Sequence, residues 1–253
     1  MKLSEQKINA ELKNHFPGNV TVKSVVTSTQ KLAKEACSKV PQAFLAEHQT
    51  GGYGKQARAF YSPSETGLYL SVLLPDVDPD EMEKAGLFTT GLADAIAILL
   101  EHYYPEKQLG VKWVNDVLLG PAKVCGILVE AAVQGQQINW IVGVGINLST
   151  TDFPTNIDRV VGSLDSEARI DRNQLAADFI KTIWQLKNTY QAGEFLKDYQ
   201  QRLILMNKRV TLKLADRERT GIVRGIDQQG RLVVKLADGL HAFNDGEVIK
   251  VQY

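Results

Sequence analysis

The chain has little of what redox and metal proteins are commonly built from. Two cysteines, Cys37 and Cys125, and four histidines are all that its 253 residues contain. No CxxC pair and no Cys/His ligand spacing occurs, which excludes a disulfide-stapled scaffold and leaves no zinc signature. Both cysteines lie in apolar contexts and are expected as reduced core residues. Neither sign of charge is in excess, with 29 Lys+Arg against 29 Asp+Glu. No global field therefore draws the protein to nucleic acid or to an anionic membrane, and any anion must be held locally. The start, MKLSEQKINAELKNHF, has no apolar signal core, and no apolar run reads as membrane-spanning. A cytoplasmic location is the expectation. Internal repeats and low-complexity segments are also lacking.

What is there is a chain 44% hydrophobic, enough for one large core with room for a small second domain. Ser4 can cap a first helix carrying Ile8 and Leu12, which Phe16-Pro17-Gly18 ends. Val20 to Val26 alternates as a strand, and Thr27-Ser28-Thr29 opens a second helix with Leu32, Ala33, Ala36 and Cys37 inward. Strands are expected at Ala43–Ala46, Leu68–Leu74 and Ile138–Val144, with helices at Glu81–Tyr103, Arg172–Tyr190 and Glu194–Leu205. Near Met206 the texture changes to five short strands separated by Asp/Asn/Gly turns, as in a small SH3-like β-barrel. The expected class is α+β, a mixed-sheet domain with packed helices over residues 1–205 followed by the barrel over 206–253.

Four stretches carry chemistry. In Lys112 to Glu130, KWVNDVLLGPAKVCGILVE, residues 111–119 read as one strand and 124–133 as the next, joined by a Gly120-Pro121 turn. Lys112, Asn115, Asp116 and Lys123 put two ammonium groups, an amide and a carboxylate in one hairpin. That set is either a solvated face or an anion site with a metal ion. Glu47 to Arg58 is a glycine loop with two cations, Lys55 and Arg58, and matches neither a Walker A nor a GxGxxG pattern. It is either a flexible connection or a lid whose backbone approaches an anion closely. The Ser28 and Thr29 hydroxyls suit helix capping, ligand binding or both. Asn147, after Gly143-Val144-Gly145-Ile146, can finish a turn or reach an adenine edge.

Taken in order, TST, QTGGYGKQARAFYSP, KWVND with K-x-x-GILVE, and GVGIN resemble the biotin protein ligase family over nearly the whole chain, from about Val20 to Glu247. The resemblance implies a two-step reaction. The carboxylate of biotin attacks the α-phosphate of ATP to give biotinyl-5′-AMP and pyrophosphate, and one lysine of a biotin carboxyl carrier domain then takes the biotinyl group. It implies ATP with Mg2+, and biotin as substrate. Ser28, Thr29 and Gln49 match the family's ureido-binding positions, with Gly52, Tyr53, Lys123 and Gly126 completing the biotin pocket. Gly52, Tyr53, Gly54, Lys55 and Arg58 match its adenylate loop. Lys112, Asn115 and Asp116 match the positions that handle phosphates and Mg2+, Asp116 being the metal candidate. Lys123 matches the lysine at the biotin carboxyl, and Asn147 the asparagine near adenine. The implied catalytic set is Lys123, Lys112, Asp116 and Arg58. The family often pairs edge to edge, so a homodimer is a further implication.

The sequence departs from the family's common loop, GRGRxGRxW, in placing Tyr53 and Lys55 where arginines stand and Phe60 where tryptophan stands. Altered retention of the adenylate is expected rather than lost chemistry. Only about twenty residues precede the first strand, where some relatives carry a DNA-binding module of about 60 residues or more; a ligase that does not bind DNA is expected. The rival readings are a lipoate or octanoate ligase or transferase, which would prefer an apolar slot to Ser28, Thr29 and Gln49, and a non-catalytic biotin sensor, which has no need of Lys112, Asp116 and Lys123.

Overall fold

The strand Gly67–Leu74 is buried at every position, as an almost continuous apolar run requires when both faces of a sheet are covered. It is β3 of a seven-stranded sheet in a computed structural model that describes residues 2–36, 38–157, 160–165, 170–215 and 217–252. Cys37 lies outside the described residues. The other strands are β1 (Asn19–Val26), β2 (Gln42–Gln49), β4 (Leu109–Lys112), β5 (Asp116–Leu119), β6 (Ala122–Gln134) and β7 (Gln137–Asn147). Their order is β1-β2-β3-β7-β6-β5-β4, with β1 and β2 parallel and every other neighbour antiparallel. The mixed sheet and packed helices expected of an α+β chain are present.

The stretch read as one strand from 111 to 119 is two. Lys112 pairs with Asp116 across the tight turn 113–115, whose Trp113–Val114 peptide is cis. The apolar run misled because Trp113 is buried with its indole donating to the Gly230 carbonyl at 3.0 Å. It points out of the hairpin into the C-terminal part rather than continuing a strand face.

Side-chain alternation gives the sheet two unlike faces. One carries Leu70, Val72, Ile127, Val142 and Val144 into the main core. There it meets α1 (Glu5–Leu12), α3 (Ala85–Tyr103) and α4 (Arg172–Thr189). Leu87, Phe88, Leu92, Ile96 and Leu100 of α3 are each buried, worth roughly 1.5–3 kcal/mol apiece. α3 starts at Ala85 rather than Glu81, after a 3-10 turn over Pro79–Lys84 whose Asp78 cap accepts from the Asp80 amide at 3.0 Å. Together this turn and α3 form a helix long and apolar enough to cross a membrane, contrary to the reading above, with mean hydropathy 1.2 over an 18-residue window; 61% of that window is buried within the protein, the position of a core helix. The opposite sheet face is covered more sparsely, by α2 (Thr29–Ala36), whose Ala33 packs on Phe44, Leu73 and Ile141. Ser71, Glu130, Gly126, Gly143 and Gly145 share this face by strand alternation.

After α5 (Leu196–Arg202) come β8 (Arg209–Lys213), β9 (Glu218–Ile226), β10 (Leu232–Leu236), β11 (Gly239–Phe243) and β12 (Glu247–Gln252), in the antiparallel order β11-β10-β9-β8-β12. The five expected strands are there. No pairing between β11 and β12 closes them into a barrel among the described residues; β12 is bulged between Val248 and Lys250, and the segment leading into it turns toward the first sheet.

α5 docks on α3 through a buried charge. Asp94 is 1% exposed, and its Oδ1 lies 3.3 Å from Arg202 Nε without hydrogen-bond geometry, while Arg202 Nη1 donates to Glu101 at 2.7 Å. Burial lifts the Asp94 carboxyl to about 7, against the pull of Arg202. A carboxyl raised on folding contributes stability that is full below its unfolded value and is lost as pH rises through the folded one. Asp94→Asn is therefore expected to flatten the decline of stability between about pH 4 and pH 8, which this group makes on the order of a few kcal/mol. Scanning calorimetry across that range checks it, and an unchanged slope would count against it.

Candidate active site

α2 begins where β1 ends, so its first turn stands at the edge of the sparsely covered face. Ser28 Oγ accepts the Gln30 amide at 3.2 Å, the capping role. Thr29 faces β2 instead: its amide and hydroxyl donate to Gln49 Oε1 at 2.8 and 3.2 Å, and its hydroxyl lies 2.9 Å from Ser71 Oγ. Gln49 Nε2 donates to Ser62 Oγ at 2.9 Å. Ser28 thus caps the helix, while Thr29 is tied to β2 and β3 through Gln49 and Ser71. Ser28, Thr29 and Ser71 are nearly fully buried, so these hydrogen bonds hold the groups in fixed directions.

The glycine loop is folded rather than an open connection. Isolated bridges pair Gln49 with Ser62 and Tyr53 with Ala59, and Gly54 donates to the Arg58 carbonyl at 2.8 Å. A Cβ on Gly52 would stand 2.8 Å from Gln49 Nε2 and Ser62 Oγ and 2.9 Å from the Phe60 carbonyl, so only glycine fits there. Gln56 and Ala57 turn the loop at φ 59° and 56°; Ala57 stands at a glycine of the GRGRxGRxW pattern, and left-handed backbone costs an L-residue about 1–2 kcal/mol. The Phe60 ring lies over the main sheet, where a Cβ on Gly145 would meet it at 2.6 Å.

The strands β4, β5 and β6 bring the hairpin charges together. Lys123 Nζ is 2.5 Å from Asp116 Oδ1, with both side chains mostly buried. The ammonium lies over Gly126, where a Cβ would stand 2.9 Å from it. Lys112, opposite Asp116 in register, donates to the Val248 carbonyl at 3.1 Å. Burial holds its ammonium below the usual lysine value, against the pull of Asp116 and Glu247, with Lys123 and Arg58 reinforcing the depression. Lys112 therefore feels the charges of Asp116, Glu247, Lys123 and Arg58.

Two expected site residues are committed to backbone. Asn115 Nδ2 donates to the Ile127 carbonyl at 2.7 Å, fastening the β4–β5 turn to β6. Asn147 Nδ2 donates to the Gly162 carbonyl at 3.0 Å, and its Oδ1 is buried without a hydrogen-bond partner among the described residues.

Sequence reasoning missed the carboxylates that meet the loop. Arg58 reaches both oxygens of Glu247, and Lys55 pairs with Asp245, whose carboxyl is held low by that lysine. Glu130 accepts from Tyr53, Lys34 and Gln30. The Asn244–Glu247 stretch carried a turn signal, which gave no hint of its partners. Among the described residues no three His, Cys, Asp or Glu side chains converge to hold a metal ion, so Asp116 can contribute only to an ion that brings further ligands.

Lys55 and Arg58 on a folded glycine loop and Lys112 and Lys123 on the neighbouring strands of a mixed sheet form an arrangement suited to enzymes that activate a carboxylic acid with a nucleotide. The family description Biotin/lipoate A/B protein ligase family matches residues 22–147, and Biotin protein ligase C terminal domain matches 205–251. The chain is 31% identical over 220 residues to the biotin--[acetyl-CoA-carboxylase] ligase of Mycobacterium tuberculosis, covering 82% of this chain and 78% of that protein. It is 29% identical over 244 residues to the bifunctional ligase/repressor BirA of Escherichia coli, covering 91% of this chain and 74% of that protein. Among solved structures it resembles the biotin protein ligase from Aquifex aeolicus in complex with biotin and ATP, with a TM-score of 0.76 and 26% identity over 92% of this chain and 98% of that one. The chain belongs to the biotin protein ligase family.

Proposed function

We propose that this enzyme joins biotin to ATP as biotinyl-5′-AMP and passes the biotinyl group to one lysine of a carboxylase's biotin carrier domain, the catalytic part spanning residues 1–205 and the C-terminal part 206–253. The observation that carries this reading is the convergence, on one sheet face, of the Thr29–Gln49 pocket, the 52–58 loop and the Lys112, Asp116 and Lys123 cluster. In the first step a carboxylate oxygen bonds to the α-phosphorus and pyrophosphate leaves. In the second the lysine amine attacks the acyl carbon, AMP leaves and the amine gives up a proton. Ser28, Thr29 and Gln49 bind the ureido ring, with Gly52, Tyr53 and Gly126 lining the pocket. Gly54, Lys55, Arg58, Lys112 and Asn115 take the nucleotide phosphates, and Asn147 lies toward adenine.

Bringing a carboxylate to a triphosphate requires fixed positive charge. Lys112 and Lys123 supply it from rigid strands, where it is worth more than in water. Asp116 would be the carboxylate that holds an Mg2+ ion, which when bound would supply charge neutralisation at the phosphates. The loop shields the anhydride from water. Polar donors at Thr29 and Gln49 favour a ureido ring over a lipoyl chain.

Incubating the enzyme with biotin, MgATP and a carrier domain should add one biotinyl group to the carrier by mass spectrometry. Biotin-independent pyrophosphate exchange, or none, would defeat the reading. For the loop, Lys55→Ala is expected to raise loss of bound biotinyl-AMP about tenfold, one charge-assisted contact's worth. Its pair with Asp245 is exposed and so readily surrendered to phosphate. A variant that holds the intermediate as the parent does would remove Lys55 from the role.

A further inference from the structure

Glu130 lies at the end of the GILVE stretch, beyond the charges of the hairpin, and has no part in the chemistry above. Its carboxylate is nonetheless the meeting point of three side chains, one from the glycine loop and two from α2. Tyr53 of the glycine loop donates to Oε2 at 3.1 Å, Gln30 of α2 donates to the same oxygen at 3.0 Å, and the Lys34 ammonium lies 2.7 Å from Oε1. The same ammonium stands 5.7 Å from the centre of the Tyr53 ring, within cation–π range. Gln30 also donates to the Ile141 carbonyl at 3.1 Å and accepts from Ser71 at 2.9 Å. Since Ser71 touches Thr29, the connection runs from the loop through Glu130, Gln30 and Ser71 into the Thr29–Gln49 pocket.

Resting on the function proposed above, we propose that Glu130 is a positioning residue that latches the glycine loop over the bound intermediate, and that Tyr53 and Lys34 together replace a loop arginine. An arginine at position 53 would bring both a positive charge and a donor to Glu130. Here the loop supplies the donor through a phenol and α2 supplies the charge through Lys34. Burial and the adjacent carboxylate raise the Tyr53 phenol, so it remains a donor across the physiological range. Against desolvation, the bonds to Glu130 and Tyr53 raise Lys34 as well, keeping it charged. The division leaves the loop attached through an uncharged phenol donating to the carboxylate, a contact that costs less to open than an arginine–carboxylate ion pair. The fixed charge stays on the helix, where it also orients Gln30.

The test is the partition of biotinyl-AMP between release to solvent and transfer to the carrier, measured by rapid filtration after a single turnover. Tyr53→Phe and Glu130→Gln should each raise the released-to-transferred ratio about tenfold. The double variant should exceed the worse single one by no more than about twofold, because both remove the same latch. Lys34→Ala should raise the ratio as well, and adding Tyr53→Arg to Lys34→Ala should bring it back, a rescue that a purely structural role for Lys34 would not produce. Ratios equal to the parent's, or losses that track melting temperature without rescue by Tyr53→Arg, would overturn the latch. A parent enzyme that forms no biotinyl-AMP would instead overturn the function on which the latch rests.

Discussion

Lys123→Ala is expected to slow adenylation and transfer alike, each by about 10²–10³-fold, the loss typical of removing one preorganised charge-stabilising donor. The two half-reactions share a single group, the biotin carboxyl, as nucleophile in the first and as electrophilic acyl carbon in the second. In the function proposed above, Lys123 is the cation that serves it. Its ammonium stands on the floor of the site, over Gly126, where the absence of a Cβ makes room. Asp116 holds it there at 2.5 Å, so little reorganisation is required when charge develops. Folding should survive, since Asp116 still faces Lys112 across β4 and β5. Gly126→Ala offers a milder version, because a methyl 2.9 Å from the flexible end of Lys123 displaces the ammonium without touching backbone. Its effect should fall on both steps in the same proportion. Single-turnover rates of pyrophosphate release and of carrier biotinylation decide the matter. A variant slowed in only one step would detach Lys123 from the shared carboxyl.

How legible this site was depended on how local its parts are. Most of the strands, including the five C-terminal ones, and the cation-bearing loop followed from alternation and turn chemistry, which act over a few residues. Lys112, Asp116 and Lys123 could be grouped because one hairpin holds them within a dozen positions. The hairpin's own shape was misread, since Trp113 continues an apolar run while serving a contact with Gly230, 117 positions away. The carboxylates Asp245 and Glu247 meet Lys55 and Arg58 across about 190 residues of sequence, a pairing that no spacing rule encodes. Gly143 and Gly145 were read as part of a buried strand. Their second reason is visible only with the fold assembled, where Gly145 makes room for the Phe60 ring.

Asp116→Ala should leave a different signature, chiefly a loss in the use of MgATP. Asp116 is paired in register with Lys112 and lies 2.5 Å from Lys123, and its charge does two things. It offsets the repulsion between the two ammonium groups, and under the proposed function it would offer an oxygen to the ion carried by the nucleotide. Removing it strengthens the positive field, so affinity for the anionic phosphates alone need not fall, while the proposed metal would lose its protein ligand and Lys123 its anchor. The expected result is a 10- to 100-fold drop in kcat/KM for MgATP, the usual cost of disturbing a metal's supporting groups. It should appear mainly in KM and depend on the Mg2+ concentration, whereas transfer from supplied biotinyl-AMP, which needs no metal, should fall only a few-fold. Asp116→Asn separates the two causes, since an amide keeps the volume and a weak hold on Lys123 but cannot match a carboxylate as a hard-ion ligand. If excess Mg2+ restores neither variant and both half-reactions are mildly and equally affected, the hairpin charges are scaffold, and the phosphates must be handled by the loop and the C-terminal sheet alone.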